Sequence, residues 1–330
     1  MKKKLPVSSL PVVSFTAYGA ETLDEFRKKA EAGSASDQNS LGLMYCFDAY
    51  FIDDIRVPKD FDEAVIWFRK SANRGNADAQ YNLGYLYHNG MGVQKDSAEA
   101  SNWIRKAANQ GDSDSQCYLG AMYSMGDGVS KNFSEAAKLY QQAADMGNTN
   151  AYFNLGIMYE KGDGVLKDSE QAAKWYLKAA EQGDSYSQYK IGLMYQSGNG
   201  VHKDCVASAK WFHKAADQRD DDAQCMLGWK YENGDGVVKD MAAAVKWYSE
   251  SAEQANAYAQ NNLGMMYAKG NGLLKDCVQA HAWLNNASSH GNEDAKKNLG
   301  IIEQEMTPEQ KAEALKLARE IFKRVPKKQS

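Results

Sequence analysis

Apolar and small residues recur along the chain at a fixed spacing. A leucine or isoleucine followed by glycine occurs repeatedly, with the glycine at positions 42, 84, 120, 156, 192, 228, 264 and 300. The first interval is 42 residues long and each later interval is 36 residues. A period of this length is typical of a solenoid, in which each repeat buries its apolar face only by stacking on its neighbours. The pattern therefore predicts one repetitive fold rather than two globular domains.

Each repeat has the pattern of two helices joined by a turn. In the segment 76–111, small or apolar residues lie on one side of the first helix, helix A: Ala79, Leu83, Gly84 and Tyr87. The second helix, helix B, places Trp103 and several alanines on one face. Small residues at these positions predict that the two helices cross closely. Equivalent tyrosines and tryptophans recur in other repeats, which predicts that their rings pack between helices.

Glycines and capping residues mark the helix ends. Gly90 suits a helix C-cap with a positive φ, and Asp96 with Glu99 forms a capping box at the start of helix B. In the fifth and sixth repeats, Arg219 and Ala255 replace the glycine that closes the repeat. A non-glycine residue is strained in the left-handed region. We therefore expect altered turns at these two positions, or a tolerated left-handed residue.

The chain has no proline from position 61 to position 307, so this stretch is free to be helical. The predicted fold is all-α: a right-handed α/α superhelical solenoid of seven 36-residue helix-turn-helix repeats with helical caps. Its predicted parts are an N-terminal capping helix (21–33), seven repeats plus a final half repeat (34–306) and a C-terminal capping helix (307–326). The last helix would begin with a capping box at Thr307. The first repeat contains six extra residues around Phe47–Ile52, which either close one end of a groove or lie on the surface.

The repeat also resembles a known family. The pattern A-x-x-x-L-G-x-x-Y-x-x-G-x-G-V-x-K-D, followed by A-x-x-W-x-x-x-A-A-x-x-G, is similar to the Sel-one-like repeat, a relative of the tetratricopeptide repeat. The resemblance covers about residues 34–300 and implies an adaptor that binds a protein in envelope assembly, signalling or host interaction. A cysteine-rich branch of that family has a disulfide within each repeat and is linked to penicillin binding. Its cysteine positions correspond here to alanines such as Ala108 and glutamines such as Gln116, so that analogy fails.

If the repeats curve as in tetratricopeptide arrays, helix A lines a concave groove. The residues three before, one after and four after the repeated glycine then form a stripe along that groove. Its aromatic, histidine and aliphatic members are Tyr81, Tyr85, His88, Phe153, Ile157, Tyr189, Leu193 and Trp229. Asparagines beside the stripe would bond a partner's backbone, as such asparagines do in related grooves: Asn82, Asn154 and Asn262. The alternative is that the rings pack against adjacent helices and are mostly covered.

Charge and candidate chemistry narrow the function. A net charge of −4 argues against nucleic acid as the main ligand, and no apolar stretch is long enough to span a membrane. The Gly-x-Gly turns have neither the preceding strand of a phosphate loop nor the acidic series of a calcium loop. The histidines have no metal-ligand spacing, and no nucleophile–base pair recurs. The sequence thus predicts a non-catalytic scaffold for a protein or peptide, without cofactor or metal. The alternatives are a cell-wall-directed enzyme (a hydrolase or a penicillin-interacting protein) and a purely structural spacer.

The cysteines and the N-terminus bear on localisation. Cysteines in the same column belong to non-adjacent repeats, too far apart for a disulfide, so all five are expected to be free and buried. Residues 1–20 have a basic start, a short apolar stretch and small residues before Glu21. This outline is typical of a secretory signal peptide. It favours export to the periplasm or the outside of the cell, with a cytoplasmic location as the alternative.

Overall fold

The computed structural model describes residues 23–47, 50–52 and 55–325. The predicted signal segment 1–20 lies outside the described residues. The chain divides into two compact halves, Met1–Asp168 (the N-terminal half) and Ser169–Ser330 (the C-terminal half). In both halves the described residues are mainly helical, and the predicted all-α repeat fold is confirmed.

The N-terminal half alternates helices of the B and A type. Its elements are α1 (Leu23–Glu31), α2 (Ala35–Met44), β1 (Tyr50–Ile52), β2 (Ile55–Val57), α3 (Phe61–Asn73), α4 (Ala77–Asn89), α5 (Ser97–Asn109), α6 (Ser113–Met125), α7 (Phe133–Asp145) and α8 (Thr149–Lys161). Helices α2, α4, α6 and α8 are A helices and form the A row of this half. Helices α1, α3, α5 and α7 are B helices and form its B row.

The C-terminal half continues the alternation. Its elements are α9 (Ser169–Glu181), α10 (Ser185–Ser197), α11 (Cys205–Asp217), α12 (Asp221–Asn233), α13 (Met241–Ala252), α14 (Ala257–Lys269), α15 (Cys277–Ser289), α16 (Glu293–Ile302), a 3₁₀ turn (Glu303–Glu305) and α17 (Pro308–Arg324). Its A row is α10, α12, α14 and α16, and its B row is α9, α11, α13 and α15.

Local chemistry explains where the helices begin and end. The side chain of Asn76 accepts from the backbone of Ala79 at the start of α4, and Gly90 ends that helix in the left-handed region (φ 69°). Asp96 caps α5 by accepting from the backbone of Glu99. The same arrangement recurs in most of the later repeats, so the predicted capping roles of Gly90 and Asp96 are confirmed. The capping box is only half formed, because the Glu99 carboxylate accepts from the indole of Trp103 instead.

The glycine inside helix A sets the distance to helix B of the same repeat. A Cβ at Gly84 would lie 2.7 Å from the side chain of Ile104 and 3.0 Å from the carbonyl of Ala100. In the C-terminal half, a Cβ at Gly228 would lie 2.5 Å from the ring of Tyr248. The predicted close crossing of the two helices is therefore confirmed.

The two turns that lack their glycine keep the ordinary geometry. Arg219 and Ala255 both adopt a left-handed φ of 65°. The amide of Arg219 bonds the carbonyl of Ala216 at 2.8 Å, as the amide of Gly111 bonds Ala108 at 3.0 Å. The expectation of altered turns is wrong, because the hydrogen bonds that close the turn outweigh the left-handed strain.

Glutamines connect six of the eight A helices to the B helix before them; α8 and α16 have Tyr152 and Lys296 at this position. The side-chain amide of Gln80 donates to the carbonyl of Ala72 at 3.1 Å, and Gln188 donates to Ala180 at 3.0 Å. The same contact is made by Gln38, Gln116, Gln224 and Gln260. These buried amides replace apolar contacts with directional bonds between helices, which fixes their register.

A second bond extends this row into what we call the glutamine ladder. The Oε1 atom of Gln80 accepts from Gln110 at 2.8 Å, after the end of α5. In the C-terminal half, Gln218 donates to Gln188 at 2.9 Å and Gln254 donates to Gln224 at 2.7 Å. The ladder is interrupted where Met146 occupies the donor position. There the buried Oε1 atom of Gln116 has no hydrogen-bond partner among the described residues.

The insertion in the first repeat contains the paired strands β1 and β2. They pair antiparallel, with Phe51 opposite Arg56. Val57 at the end of β2 is fully buried, and Phe47 packs against the same core cluster. The sequence did not predict strands here, since three-residue strands are too short to show an alternating pattern.

Helix α17 closes the C-terminal half against α15. Thr307 and Gln310 form the predicted capping box at its start. The side chain of Asn286 in α15 donates to the carbonyl of Ala318 at 3.1 Å. Ile321 is buried in the same apolar cluster as Ala318. The final helix therefore covers the apolar face that the last repeat would otherwise expose.

All five cysteines are free thiols. Cys46 and Cys117 are buried, and burial raises the pKa of each thiol to about 12. The other three are only half-buried: Cys205, Cys225 and Cys277. The expectation that all five are buried is therefore wrong for these three, which lie at helix starts or on the A row.

Candidate functional site

The predicted stripe on the A row differs between the two halves. In the N-terminal half, Tyr81, Asn82 and His88 are buried, with exposed fractions of 5%, 0% and 8%. Their assignment to a partner-binding surface is corrected, because side chains covered to this degree cannot meet a partner. The neighbouring A helix covers them, and the sequence pattern of one helix does not reveal that neighbour.

The contacts of these three side chains are internal. The ring of Tyr81 packs edge-on against Tyr118 of α6, with ring centres 6.0 Å apart. The amide nitrogen of Asn82 donates to Asn39 of α2 at 3.1 Å. His88 Nε2 lies 2.7 Å from a carboxylate oxygen of Asp127, in the glycine turn of the next repeat. Each side chain therefore joins adjacent repeats.

The remaining predicted residues of this half are half-buried: Tyr85, Phe153, Asn154 and Ile157. The side chain of Asn154 donates to the carbonyl of Asn150 in its own helix at 2.8 Å. It also contacts the sulfur of Cys117 at 3.8 Å. Its amide is thus engaged within the fold, whereas the predicted partner contacts of the other three stay a prediction.

In the C-terminal half, the stripe is more open. Tyr189 and Leu193 are half-buried and pack at the edge of the core cluster around Phe212. The rings of Tyr189 and Phe212 have centres 5.8 Å apart. Burial, together with the nearby carboxylates of Asp222 and Asp220, raises the pKa of the Tyr189 hydroxyl. The phenol is therefore neutral at physiological pH and presents a neutral hydroxyl.

Trp229 is the most open of the predicted site residues. Its side chain is 39% exposed on α12. The other repeats have at this position Leu43, Tyr85, Ala121, Ile157, Leu193 and Met265. The side chain of Asn233 donates to the carbonyl of Trp229 at 2.8 Å, one turn later. Trp229 thus presents a large amphipathic ring at the surface, on a helix whose last turn is stabilised by this hydrogen bond.

The residue after Trp229 is a fully buried lysine. Lys230 replaces the methionine or leucine of other repeats, and its ammonium lies 2.7 Å from a carboxylate oxygen of Asp235. The hydrogen bond from Lys230 holds the pKa of the Asp235 carboxyl below its usual range. The thiol of Cys205 also bonds Asp235, which raises the pKa of that thiol. This cluster fixes the turn at the end of α12.

Asn262 does not stand free beside the stripe. Its side-chain oxygen accepts from Asn261 at 3.3 Å, and Asn261 in turn accepts from Asn298 of α16 at 2.9 Å. A hydrogen bond also links Asn262 to the hydroxyl of Tyr248. The polar groups of this asparagine are therefore used to connect helices α13, α14 and α16.

Sequence reasoning missed two aromatic residues on the same face. Tyr186 and Tyr258 are 38% and 71% exposed, each seven residues before the stripe positions Leu193 and Met265. Seven residues make two helical turns, so each tyrosine lies on the same face as its partner in the stripe. The signal was present in the sequence, since most other repeats have aspartate or asparagine at this position.

The A-row helices of the C-terminal half are direct neighbours. Helix α12 contacts α14, and α14 contacts α16. On the other side of α12, Tyr189 and Leu193 of α10 pack against the cluster that includes Leu227 of α12. Exposed side chains on consecutive A helices are therefore presented to one and the same surface. We call the exposed residues Tyr186, Trp229 and Tyr258, with the half-buried Leu193 and Met265, the aromatic face.

Two other kinds of feature, metal sites and membrane-spanning helices, were sought in the part of the chain that the structure describes. Within residues 23–47, 50–52 and 55–325, no three histidine, cysteine or carboxylate side chains come together as a metal site. Over the same residues, no helix has the length and apolarity that crossing a membrane requires.

Comparisons with known proteins agree with the repeat lattice. The Sel1 repeat model matches seven consecutive segments: 35–76, 77–112, 113–148, 149–184, 185–220, 221–256 and 257–292. One similar crystal structure is that of a protective antigen present in uropathogenic Escherichia coli strains, which displays an SLR fold. It is 32% identical with a TM-score of 0.58, and the match covers 92% of this chain and 71% of that one.

A second similar structure is a Sel1 repeat protein from Oxalobacter formigenes. It is 36% identical with a TM-score of 0.61, and the match covers 68% of this chain and 90% of the other. A comparison with curated proteins gave no match.

Proposed function

Because the chain belongs to the Sel1 repeat family, we propose that it is a non-catalytic scaffold that holds a protein or peptide partner on the aromatic face. Sel1 repeat proteins generally mediate protein–protein interactions, and the family is typically non-catalytic. The family does not define which surface binds. The residues of the C-terminal half support the choice of surface.

The observation that carries the proposal is the exposure of Trp229, flanked on adjacent A helices by Tyr186 and Tyr258. Tryptophan and tyrosine dominate the binding energy of protein interfaces, because their rigid rings bury a large area and keep a polar atom for a hydrogen bond. Half-buried Leu193 and Met265 supply an apolar floor beside them. A partner with an aromatic or aliphatic side chain would bury these rings together.

The first test compares two double variants of the full chain. Trp229→Ala with Tyr258→Ala removes the two most exposed rings of the aromatic face. Val238→Ala with Leu274→Ala is the matched control, since these side chains lie in turns of the same half and are 87% and 90% exposed. Circular dichroism and the urea midpoint establish that both variants fold.

Crosslinked capture from the native cell, read by mass spectrometry, then identifies the partner, and the purified partner is titrated against each variant. We expect the wild type and the control to bind alike and the aromatic-face variant to bind roughly thirtyfold more weakly or worse. Equal affinity in all three proteins would remove the aromatic face from consideration as the binding surface.

We also propose that the protein is exported, on the signal-like outline of residues 1–20. Mass spectrometry of the N-terminal peptide of the native protein tests this directly. Removal of about the first 20 residues supports export, and an N-terminus that still carries this segment contradicts it.

A further inference from the structure

Three arginines in the B row of the N-terminal half are held in the same way. They lie one repeat apart on α1, α3 and α5. Each donates a hydrogen bond to the tyrosine hydroxyl eighteen residues later, at the end of the following A helix. The pairs are Arg27 with Tyr45, Arg69 with Tyr87 and Arg105 with Tyr123.

The geometry of the three pairs is uniform. The guanidinium carbon of Arg27, Arg69 and Arg105 lies 5.9, 5.7 and 5.5 Å from the centre of its tyrosine ring. The hydrogen bond of Arg105 measures 2.7 Å. Each pair thus combines a hydrogen bond with a cation–π contact, which restricts the arginine rotamer before any partner arrives.

Lysines next to two of these arginines also rest on aromatic rings. The ammonium of Lys70 lies 3.8 Å from the ring centre of Trp67, and that of Lys106 lies 3.6 Å from Trp103. These lysines, like Arg69 and Arg105, have no carboxylate within ion-pair distance among the described residues. The aromatic groups orient the cations but carry no charge, so none of the four positive charges is paired directly with a carboxylate.

Acidic side chains lie beside this row. Glu63 and Glu99 accept from the indole nitrogens of Trp67 and Trp103 at 3.2 and 2.7 Å, towards the N-terminal halves of the same helices. Arg27 also lies in the field of Glu63 and Asp24. A dense polyanion or an anionic membrane would meet these carboxylates as well and be repelled by them. A partner with separated anionic groups avoids that repulsion.

We propose that the residues Arg27, Arg69, Lys70, Arg105 and Lys106 form a basic strip that binds an acidic segment of a protein partner. Arginine matches a carboxylate through two parallel hydrogen bonds, and restricting its rotamers lowers the entropy lost on binding. Helices α3 and α5 each pack on α4 and belong to successive repeats, so Arg69 and Arg105 are separate charges along the B row rather than one cluster. Carboxylates at every fourth residue of an extended chain point to one side about 13 Å apart, and therefore also form a row of separate charges.

The strip ends within the same half. Gln141 occupies the arginine position in α7, and its side chain donates to Asp145 of its own helix. The arginine–tyrosine pairs are therefore a local feature of the first three B helices, whereas the lysine–tryptophan contact recurs in later repeats, as in Lys178 with Trp175 and Lys214 with Trp211. The basic strip also lies on the B row, so it is distinct from the aromatic face.

The test is a fluorescence anisotropy titration of the full chain with a labelled peptide that has glutamate at every fourth position. A peptide with glutamine at those positions is the neutral reference. We expect Arg69→Gln with Arg105→Gln to weaken binding of the glutamate peptide roughly tenfold or more. Tyr87→Phe with Tyr123→Phe keeps every charge but removes the hydroxyls, and we expect it to weaken binding roughly two- to fivefold.

The matched control is Lys174→Gln with Lys210→Gln, which removes two exposed positive charges from B helices of the C-terminal half. It should bind as the wild type does. Three results would overturn the proposal: no preference of the wild type for the glutamate peptide, an equal loss in the control, or binding only to an anionic polysaccharide or to anionic vesicles. Circular dichroism on every variant excludes unfolding as the cause of a loss.

Discussion

The glutamine ladder permits a direct measurement of what one side-chain hydrogen bond between the A helix and the end of the B helix of a repeat contributes to stability. At Gln80 the ladder is complete, since Gln110 donates to it at 2.8 Å. At Gln116 it is interrupted, because Met146 stands where the donor should be. Met146→Gln supplies the missing donor, and Gln110→Met makes the reciprocal change one repeat earlier. The two variants thus change the same interaction in opposite directions.

The magnitude follows from burial. A buried acceptor without a partner costs about 1–3 kcal/mol, and a completed bond contributes a net ~0.5–1.5 kcal/mol. Met146 is 59% exposed, so loss of its apolar contacts costs at most about 1 kcal/mol. Ordering the new glutamine side chain offsets part of the gain. We expect Met146→Gln to raise the free energy of unfolding by about 1 kcal/mol and Gln110→Met to lower it by about 1–2 kcal/mol.

Urea unfolding at neutral pH gives the global free energy. Repeat proteins can unfold in parts, so hydrogen exchange of the amides in α6 and α7 gives the local one. The control is the double variant Gln116→Ala with Met146→Gln, compared with Gln116→Ala alone. Without the acceptor, the new glutamine has nothing to complete, so the gain should disappear.

Two results would refute this reasoning. One is a Met146→Gln variant no more stable than the wild type while Gln110→Met is also neutral, which would mean that the ladder bonds are exchanged for water at no cost. The other is an unchanged gain in the Gln116→Ala background, which would assign the effect to helix propensity rather than to the ladder.

Three further predictions concern the turns. A Cβ at Gly128 would overlap the carbonyl oxygen of Ser97, whereas one at Gly111 meets nothing. We therefore expect Gly128→Ala to lower the urea midpoint strongly and Gly111→Ala to cost only the left-handed strain of about 1–2 kcal/mol. Relief of the same strain should make Ala255→Gly neutral or up to about 1 kcal/mol more stable in the same assay. The bond from Lys230 lowers the pKa of Asp235. That bond therefore stabilises the fold above the unfolded carboxyl pKa of ~3.9, and the gain is lost as the pH falls further. The difference between the urea midpoints of Lys230→Met and wild type should therefore shift in favour of the variant as the pH is lowered from 7 to 3. A difference that does not change with pH would contradict this.

Most of the fold follows from residues that act locally. Asp96 caps its helix through a backbone amide three residues away, and Gly90 needs only its own φ, so sequence spacing alone predicts both. The close crossing at Gly84 is also predictable, because the repeat places its partner helix at a fixed distance along the chain. The left-handed geometry of Arg219 was harder to predict from the sequence, because it depends on whether three hydrogen bonds around the turn outweigh the backbone strain.

The site was less predictable, because exposure depends on contacts between repeats. His88 and Trp229 were predicted to lie in the same stripe. The carboxylate of Asp127, 39 residues later in the chain, covers His88, whereas the side chain of Trp229 is 39% exposed. Conversely, Tyr258 stands at a position where most other repeats have small polar residues, and only the packing of the A row shows it to be 71% exposed. Periodicity places a side chain on a face but does not determine what its neighbours leave open.

The two proposed surfaces share no residue, and this makes them separable. The aromatic face lies on the A row of the C-terminal half, where apolar burial would provide the binding energy. The basic strip lies on the B row of the N-terminal half, where charge would provide it. Affinity for a protein partner at the aromatic face should therefore depend weakly on salt, whereas affinity for the glutamate peptide should fall steeply as salt screens the strip. Each pair of substitutions should affect only its own surface. Trp229→Ala with Tyr258→Ala should leave binding of the glutamate peptide unchanged. Arg69→Gln with Arg105→Gln should leave binding of the protein partner at the aromatic face unchanged. If either pair of substitutions abolished both activities, a general loss of folding would explain the result, and neither surface would be supported.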